Sequence, residues 1–325
     1  MSYPIQITAL MSIYNEPIEW IKFSIDSILN QSYSDFEFII LNDKPDRLEN
    51  RDLLNEYAIL DSRIKIIHND HNIGLTKSLN KGLVLAKGKY IARMDADDIS
   101  IVDRFTKQYF FLENNDDYIA CGSSVIIIKE EEVSKIILNK PDSNIKIQAS
   151  LFFESPIVHP TLFFRNFKNV FYNPLYVFSQ DYDLITKLAK SGKLFNFKKP
   201  LLFYRVSIKQ ITKQKLKEQN YYAKIIRFGN IVGYINRQTK LVTEDQSKEN
   251  IDLCLKIIKK ELLSFNYINR TEISYIYYSL MMYFIQKSVC RSLLIISYQF
   301  FLRIKLKYRL RLIISIFYKF NDQKF

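Results

Sequence analysis

Residues 72–104 read NIGLTKSLNKGLVLAKGKYIARMDADDISIVDR, and this stretch decides the fold of the chain. It opens with a turn at 72–74, after which apolar residues recur on one side of a predicted helix over 75–86. A short apolar strand is predicted over 90–94, and it ends at a group of acidic residues. A helix that leads directly into a buried strand is typical of a βαβ unit, so the stretch predicts a parallel sheet.

Three carboxylates, those of Asp95, Asp97 and Asp98, stand within four positions where that strand ends. Like charges this close repel one another, and a hard divalent cation with oxygen ligands relieves the repulsion. Taken alone, such a group more often caps a helix or lies in an exposed turn, but the helix and strand before it favour the metal-binding interpretation. The sequence therefore predicts a site for a metal and a diphosphate at the C-terminal edge of the sheet.

The residues before this stretch follow the same alternation. Strands are predicted over 5–13, 36–41 and 63–68, and helices over 20–29 and 51–60. Alternation of this kind is typical of an α/β protein whose mostly parallel sheet is covered by helices on both faces. Ligands of such sheets bind beyond the carboxyl ends of the strands. Polar residues follow three of the strands at that edge: Asn15 and Glu16, then Asp43, then Asp95 and Asp97.

The pattern changes along the rest of the chain. Further helices are predicted over 103–113, 143–153 and 179–191, and strands over 118–122, 125–129 and 162–165. Two more strands, over 194–197 and 201–205, are close enough in sequence to form a hairpin. Strand signals fade after about residue 210. We therefore predict an α/β domain over 1–210 and a helical, basic region over 211–325.

The net charge of the 325-residue chain is +13, and it is concentrated near the C-terminus. Residues 273–319 hold eight Lys or Arg and no Asp or Glu. This distribution disfavours nucleic acid as a partner and favours an anionic membrane surface. The three cysteines lack a CxxC spacing, which is typical of free thiols in a reducing cytosol, and the first residues do not resemble a signal peptide. The expected location is cytoplasmic, peripheral on the inner face of the cell membrane.

Together these motifs resemble the family 2 glycosyltransferases, in particular bacterial enzymes that build capsule, exopolysaccharide or lipopolysaccharide O-chains. The resemblance rests on SIYNE at 12–16, ND at 42–43, the 72–104 stretch, QDYDL at 180–184 and YR at 204–205, and it covers about residues 5–210. It implies a GT-A catalytic domain, a nucleotide-sugar donor carrying UDP, Mn²⁺ or Mg²⁺ as cofactor, and inversion at the anomeric carbon. The implied acceptor is a glycan or a lipid-linked sugar.

The resemblance also assigns roles to individual residues. Asp97 is implied as the direct metal ligand together with Asp95, and Asp181 as the general base. His159 and Asp183 are expected on the acceptor side. Asp98 is expected to be an acid at a helix start. The donor-binding residues implied around the base and ribose are Ser12, Tyr14, Asn15, Glu16 and Asp43, and those that shape the diphosphate side are Asn72, Gly74 and Asn80. Arg93 and Asp95 are also expected to bind the nucleotide sugar.

Two departures from the family pattern keep alternatives open. Gln180 stands where the family usually has Glu before the base, and Ser207 stands where it often has His after the YR pair. A non-catalytic nucleotide-sugar-binding or membrane scaffold protein on the same fold is therefore an alternative hypothesis, and a glycosidase that uses two carboxylates is another. At single positions, Asp43 could instead cap a turn, and Asp183 could be a structural acid of its helix.

Overall fold

A computed structural model describes residues 4–129, 132–151, 154–206, 215, 217–223, 225–227 and 230. The chain divides into two compact units, one of Met1–Ser150 with Glu154–Ala223 and one of Leu151–Phe153 with Lys224–Phe325. Every residue of the predicted site lies in the first unit. No helix within the described ranges is long and apolar enough to cross a bilayer. The boundary predicted at 210 stays a prediction, and the basic stretch 273–319 lies outside the described residues.

The first unit is an α/β structure. Its elements, in chain order, are β1 (Ile5–Ile13), α1 (Ile18–Leu29), β2 (Phe36–Asn42), α2 (Leu48–Leu60), β3 (Ile64–His68), α3 (Leu75–Leu85), β4 (Gly88–Asp95), β5 (Ile99–Ser100), α4 (Arg104–Glu113), β6 (Tyr118–Ser123), β7 (Val125–Lys129), β8 (Glu132–Leu138), α5 (Asn144–Ser150), a single 3₁₀ turn (His159–Thr161), β9 (Phe163–Arg165), α6 (Gln180–Ser191), β10 (Lys193–Phe197) and β11 (Leu202–Val206).

Seven strands form the main sheet in the order β10-β6-β9-β4-β1-β2-β3. The neighbours β4, β1, β2 and β3 run parallel, and β9 is antiparallel to both of its neighbours. In this register Ser12 lies beside Asp95, and Ile13 lies beside Asn42. The strand ends that carry the predicted polar residues therefore meet at one edge. The predicted α/β class and mostly parallel sheet are confirmed.

The hairpin predicted from 194–197 and 201–205 is wrong. β10 pairs parallel with β6 in the main sheet, whereas β11 pairs with β7 and β5 in a second sheet of order β5-β11-β7-β8. The chain crosses from one sheet to the other at the Lys199-Pro200 step, where proline has no N–H to donate to a ladder. Residues 123–125 make the same crossing, from β6 in the main sheet to β7 in the second sheet. β10 therefore pairs with β6, and β11 pairs with β7.

Glu37 is a buried acid in the middle of the main sheet, with 2% of its surface exposed. Its carboxylate accepts hydrogen bonds from the Thr8 hydroxyl (2.7 Å) and the Lys87 N–H (2.6 Å), and it forms an ion pair with Lys65. Thr8 in turn accepts the N–H of Gly88, the first residue of β4. Burial alone would raise the pKa of Glu37, but these donors outweigh it and the pKa is lowered.

Glu37→Gln is expected to destabilise the protein in a pH-dependent way. Because the pKa of Glu37 is lower in the folded protein than in the unfolded chain, its ionised form stabilises the fold above the ordinary Glu pKa of 4.5. That stabilisation is lost as the pH falls through the folded-state pKa. The variant should lose about 1–3 kcal/mol of unfolding free energy at neutral pH, and this loss should shrink as the pH falls through the folded-state pKa of Glu37. Urea denaturation at a series of acidic pH values measures this, with the exposed Glu49→Gln as control; a loss that does not change with pH would contradict it.

Candidate functional site

The three acids predicted to bind a metal converge at the end of β4. Asp95, Asp97 and Asp98 each offer a carboxylate oxygen, and these oxygens lie within 4.8 Å of one another. Asp95 and Asp97 are partly exposed, whereas Asp98 is fully buried. Carboxylate oxygens gathered in this way are the donor set that Mg²⁺ and Mn²⁺ prefer. The convergence supports the predicted pair Asp95 and Asp97, and it adds Asp98 as a candidate.

The backbone of this acidic turn is held from two sides. The Ser24 hydroxyl of α1 donates to the Asp95 carbonyl at 2.8 Å. Arg205 of β11 donates its Nε–H to the Asp97 carbonyl (2.9 Å) and its backbone N–H to Oδ1 of Asp98 (2.8 Å). The turn is thus fixed before any ligand binds, which is what a preorganised site requires.

Asp98 is not a helix-start acid as predicted. The next helix, α4, begins only at Arg104, and the Asp98 carboxylate instead joins β11 to the acidic turn. Its Oδ2 atom is buried and has no hydrogen-bond partner among the described residues. Burial, followed by the charges of Asp97 and Asp95, raises the pKa of Asp98 well above its usual range. Burying an ionised carboxylate at this position costs free energy unless a positive charge lies nearby.

Arg93 lies behind the acidic turn and is fully buried. Its Nη1 is 2.5 Å from Oδ1 of Asp95, yet none of the guanidinium nitrogens forms a well-aligned hydrogen bond to the described residues. Burial is the largest effect on the pKa of Arg93 and would lower it, but the surrounding negative charges, with Asp95 first among them, together outweigh burial and the pKa is raised. Arg93 is therefore charged, with donors left for an anionic ligand. This arrangement supports its predicted donor-binding role.

The residues after β1 lie along the same edge. Ser12 is nearly buried, Tyr14 and Asn15 are exposed, and Glu16 is half-buried. The Glu16 carboxylate accepts the Tyr14 N–H at 2.7 Å. Burial, with a smaller contribution from the Asp95 charge, raises the pKa of Glu16. The role of Glu16 toward a base or ribose stays a prediction.

Asp43 anchors the loop before α3. Its Oδ1 accepts the Asn69 amide (2.8 Å) and the Ile73 N–H (2.9 Å), and its Oδ2 accepts the Gly74 N–H (2.9 Å). Asn72 also accepts the Gly74 N–H through its side chain, and Gly74 has a φ of +84°, a conformation that favours glycine. These bonds support the turn-capping alternative for Asp43, and its contact with a nucleotide stays a prediction.

Asp43→Ala is expected to lower the unfolding free energy by about 1–3 kcal/mol, because it removes the acceptor of the Ile73 N–H and one of the two acceptors of both the Gly74 N–H and the Asn69 amide. Chemical denaturation monitored by circular dichroism measures the loss. Asp46→Ala is a matched control, since Asp46 lies in the same loop region with 73% of its side chain exposed. Equal stability of the two variants would contradict the anchoring role.

Asn80 on α3 holds a distant segment in place. Its amide donates to the Tyr172 carbonyl and accepts the Tyr172 N–H, both at 2.9 Å. The Tyr172 hydroxyl lies 2.8 Å from Nε2 of His159; Tyr172 is buried, whereas His159 is partly exposed. Sequence reasoning missed Tyr172, which stands in an irregular segment with no periodicity that marks it. Burial, aided by the Arg93 charge, lowers the pKa of His159 well below its usual range, so this imidazole is neutral.

Asp181 lies in the first turn of α6. Its pKa is raised, chiefly by burial and to a lesser extent by the Asp95 charge, while backbone N–H bonds and the Arg93 charge oppose the shift. Its role as general base stays a prediction. Asp183 forms an ion pair with Lys187 of its own helix at 2.8 Å, which supports the structural alternative for it. Gln180 is nearly buried, and Ser207 lies outside the described residues.

Comparison with known proteins identifies the family. The sequence profile of Glycosyl transferase family 2 matches residues 8–171, a range that includes the acidic turn and ends before α6. A glycosyltransferase of Methanocaldococcus jannaschii is 35% identical over 221 residues, which are 67% of this chain and 76% of that protein. The O-antigen biosynthesis glycosyltransferase WbnJ of Escherichia coli is 35% identical over 223 residues, 65% of this chain and 83% of WbnJ.

A solved structure shows the same fold. S. aureus TarS 1–349 in complex with UDP-GlcNAc superposes with a TM-score of 0.57 at 13% identity, covering 85% of this chain and 81% of the TarS 1–349 chain. The fold and the acidic turn define a GT-A type α/β transferase. The chain belongs to glycosyltransferase family 2, and it is a glycosyltransferase.

Proposed function

We propose that this glycosyltransferase transfers a sugar from a UDP-sugar, with inversion at the anomeric carbon, to a glycan or lipid-linked acceptor in the synthesis of a surface polysaccharide. The observation that carries the proposal is the convergence of the Asp95, Asp97 and Asp98 carboxylates at the end of β4, where the buried Arg93 guanidinium lies 2.5 Å from Asp95. The solved TarS complex contains UDP-GlcNAc, and WbnJ is named for O-antigen biosynthesis. Both names favour this donor and this class of product.

The metal fits the residues present. Three carboxylate oxygens lie within 4.8 Å of one another, and the buried Oδ2 of Asp98 lacks a hydrogen-bond partner among the described residues, so the turn offers several oxygen atoms to a cation. Asp95 and Asp97 would hold Mn²⁺ or Mg²⁺, with Asp98 close by. When bound, the ion supplies positive charge against the negative charge that develops on the leaving diphosphate.

The protein's own groups complete the chemistry. Arg93 donates from its buried guanidinium to the diphosphate oxygens, and Asp95 keeps that guanidinium charged. Asp181 accepts the proton of the acceptor hydroxyl as it attacks the anomeric carbon. Its raised pKa makes it a better base than an exposed aspartate, because efficient proton transfer needs a pKa closer to the working pH. Attack on the face opposite the leaving diphosphate inverts the anomeric configuration.

The donor class is tested by titrating UDP-, GDP- and dTDP-sugars in the presence of Mn²⁺ by calorimetry. The proposal expects UDP-sugars to bind and to be consumed slowly. Binding without any turnover on any acceptor would support the scaffold alternative that Gln180 keeps open. Glycan cleavage without a nucleotide sugar would support the glycosidase alternative.

Peripheral membrane attachment is a separate part of the proposal, and the eight Lys and Arg of residues 273–319 support it. Polybasic segments bind anionic lipid surfaces through electrostatic attraction that salt weakens. The full chain should therefore sediment with phosphatidylglycerol vesicles and not with phosphatidylcholine vesicles, and added salt should release it. Equal sedimentation with both vesicle types would contradict this part.

A further inference from the structure

The side chain of Arg205 links three elements around the acidic turn. It extends from β11 and is buried, with 3% of the residue's surface exposed. Its Nε–H donates to the carbonyl of Asp97 at 2.9 Å, and its guanidinium carbon lies 4.4 Å from the centre of the Trp20 ring of α1. A residue of the second sheet therefore joins the first helix to the turn that would hold the cation.

The Trp20 ring sets the direction of this guanidinium. A guanidinium is planar and is attracted to the face of an indole ring, so the stacked contact restricts where its Nε–H can point. A lysine side chain ends in a flexible ammonium group that has no planar face to stack. Lysine therefore cannot keep the ring contact and the bond to the Asp97 carbonyl in the same geometry. The two contacts together require arginine at position 205.

Helix α1 contacts the acidic turn at a second point. Ser24 lies four residues after Trp20, so both side chains project from the same side of the helix. The Ser24 hydroxyl donates directly to the Asp95 carbonyl at 2.8 Å, whereas Trp20 reaches the Asp97 carbonyl through Arg205. Two peptide groups of one short turn are thus held from one helix. The carboxylates of Asp95 and Asp97 therefore extend from fixed backbone positions, as a preorganised metal site requires.

The charge of Arg205 does not explain its place beside a cation site. A guanidinium this close to the acidic turn repels Mn²⁺ or Mg²⁺, so what it offers the cation is geometry and not attraction. The backbone N–H of Arg205 donates to Oδ1 of Asp98 at 2.8 Å, and this bond does not depend on the side chain. A substitution at position 205 therefore removes one of the two anchors of the turn and leaves the other.

We propose that Arg205 is a positioning residue that, stacked on Trp20, holds the peptide group of Asp97 so that the Asp97 carboxylate presents an oxygen to the cation. The second sheet then has a defined part in the donor site, because β11 supplies this side chain. The inference rests on the proposed function, since it takes the acidic turn as the metal site of a nucleotide-sugar transferase.

Arg205→Lys keeps the positive charge and removes the planar donor. The quantity to measure is the Mn²⁺-dependent gain in UDP affinity, which is the ratio of the UDP dissociation constants in EDTA and in Mn²⁺. The variant should reduce this gain about tenfold, which corresponds to about 1.4 kcal/mol, and leave UDP binding in EDTA unchanged. Calorimetric titrations of UDP into each protein under both conditions measure it without any turnover. A contact between Arg205 and the diphosphate itself would instead weaken binding in EDTA.

Trp20→Leu keeps an apolar side chain and removes the aromatic face. It should reduce the Mn²⁺-dependent gain about threefold, and the double variant should lose no more than Arg205→Lys alone, because residues that act through one another are not additive. Trp20→Leu also keeps the inference testable if Arg205→Lys does not fold. An unchanged gain in Trp20→Leu, or additive losses in the double variant, would overturn it.

Arg63→Lys is the matched control. The Arg63 guanidinium carbon lies 4.3 Å from the centre of the Phe36 ring, and its Nη2 donates to the Leu29 carbonyl at 3.1 Å. The contacts are of the same kind, but Arg63 precedes β3, at the end of the parallel strands opposite the acidic turn. This variant should keep the wild-type gain.

Three results would overturn the inference: an equal loss in Arg63→Lys, an unchanged gain in Arg205→Lys, and weaker UDP binding by Arg205→Lys in EDTA. Failure of the proposed function gives a different result. In that case the wild-type protein does not bind UDP, or binds it no better in Mn²⁺ than in EDTA.

Discussion

Asp97→Asn is expected to lower metal-dependent turnover of the donor by about 10²–10³-fold or more, because it removes a carboxylate from the group that would hold the cation opposite the leaving diphosphate. The backbone of the acidic turn should survive the change, since Arg205 contacts the carbonyl of Asp97 through Nε. UDP release from a UDP-sugar, followed at increasing Mn²⁺ concentrations, measures the loss. The variant should also need more Mn²⁺ to reach half of its residual rate.

The control for this variant is Asp116→Asn, since the Asp116 side chain is 99% exposed and lies outside the site. It should keep wild-type turnover and Mn²⁺ dependence. If Asp97→Asn retained wild-type activity over the whole Mn²⁺ range, the assignment of the acidic turn as the metal site would fail. Thermal denaturation of both variants under the same conditions distinguishes the loss of a metal ligand from unfolding of the protein.

Asp181→Asn is expected to lower kcat by about 10²–10⁴-fold while Mn²⁺-dependent UDP binding changes little. The amide keeps the size of the side chain and cannot accept the acceptor's proton. Because burial raises the pKa of Asp181, wild-type activity should fall as the pH drops through that raised pKa and the carboxylate becomes protonated. This acidic limb of the pH profile should be absent in the variant.

Steady-state kinetics across the pH range, combined with calorimetric UDP binding, measure this prediction. Asp117→Asn, at a largely exposed acid that pairs with Lys193, serves as control and should keep both the rate and the pH profile. A loss of UDP binding in Asp181→Asn equal to the loss of rate would contradict the role of a base, since a base acts on the acceptor.

The parts of the fold that sequence reasoning predicted are those set by local pattern. The strands β1 to β4 are continuous apolar runs next to helices with clear periodicity, so their order and their shared edge follow from the residues themselves. β8 was not predicted, because nearly all of its residues are exposed. Its sequence therefore lacks the alternation of apolar and polar residues that indicates a half-buried strand. β5 has only two residues, too few to leave a pattern.

The parts that were missed depend on contacts between distant residues. Asp98 is buried because β11, 107 positions later, supplies the N–H that its carboxylate accepts. Tyr172 is positioned by Asn80, 92 positions earlier. The acidic run around Asp98 contains no signal for its contact with Arg205. The irregular segment around Tyr172 contains no signal for its contact with Asn80. The separation of β10 and β11 into two sheets also depends on distant residues, because β10 pairs with β6 and β11 pairs with β7.

Inverting transfer from a nucleotide sugar can be tested by proton NMR of donor hydrolysis, which does not require the acceptor to be known. The protein is mixed with Mn²⁺ and a UDP-α-hexose, and the anomeric signals are recorded before mutarotation mixes the products. Metal-dependent inverting transfer predicts that the β-hexose appears first, that EDTA stops its appearance, and that Asp97→Asn abolishes it. Release of the α-hexose first, or hydrolysis that proceeds unchanged in EDTA, would contradict it.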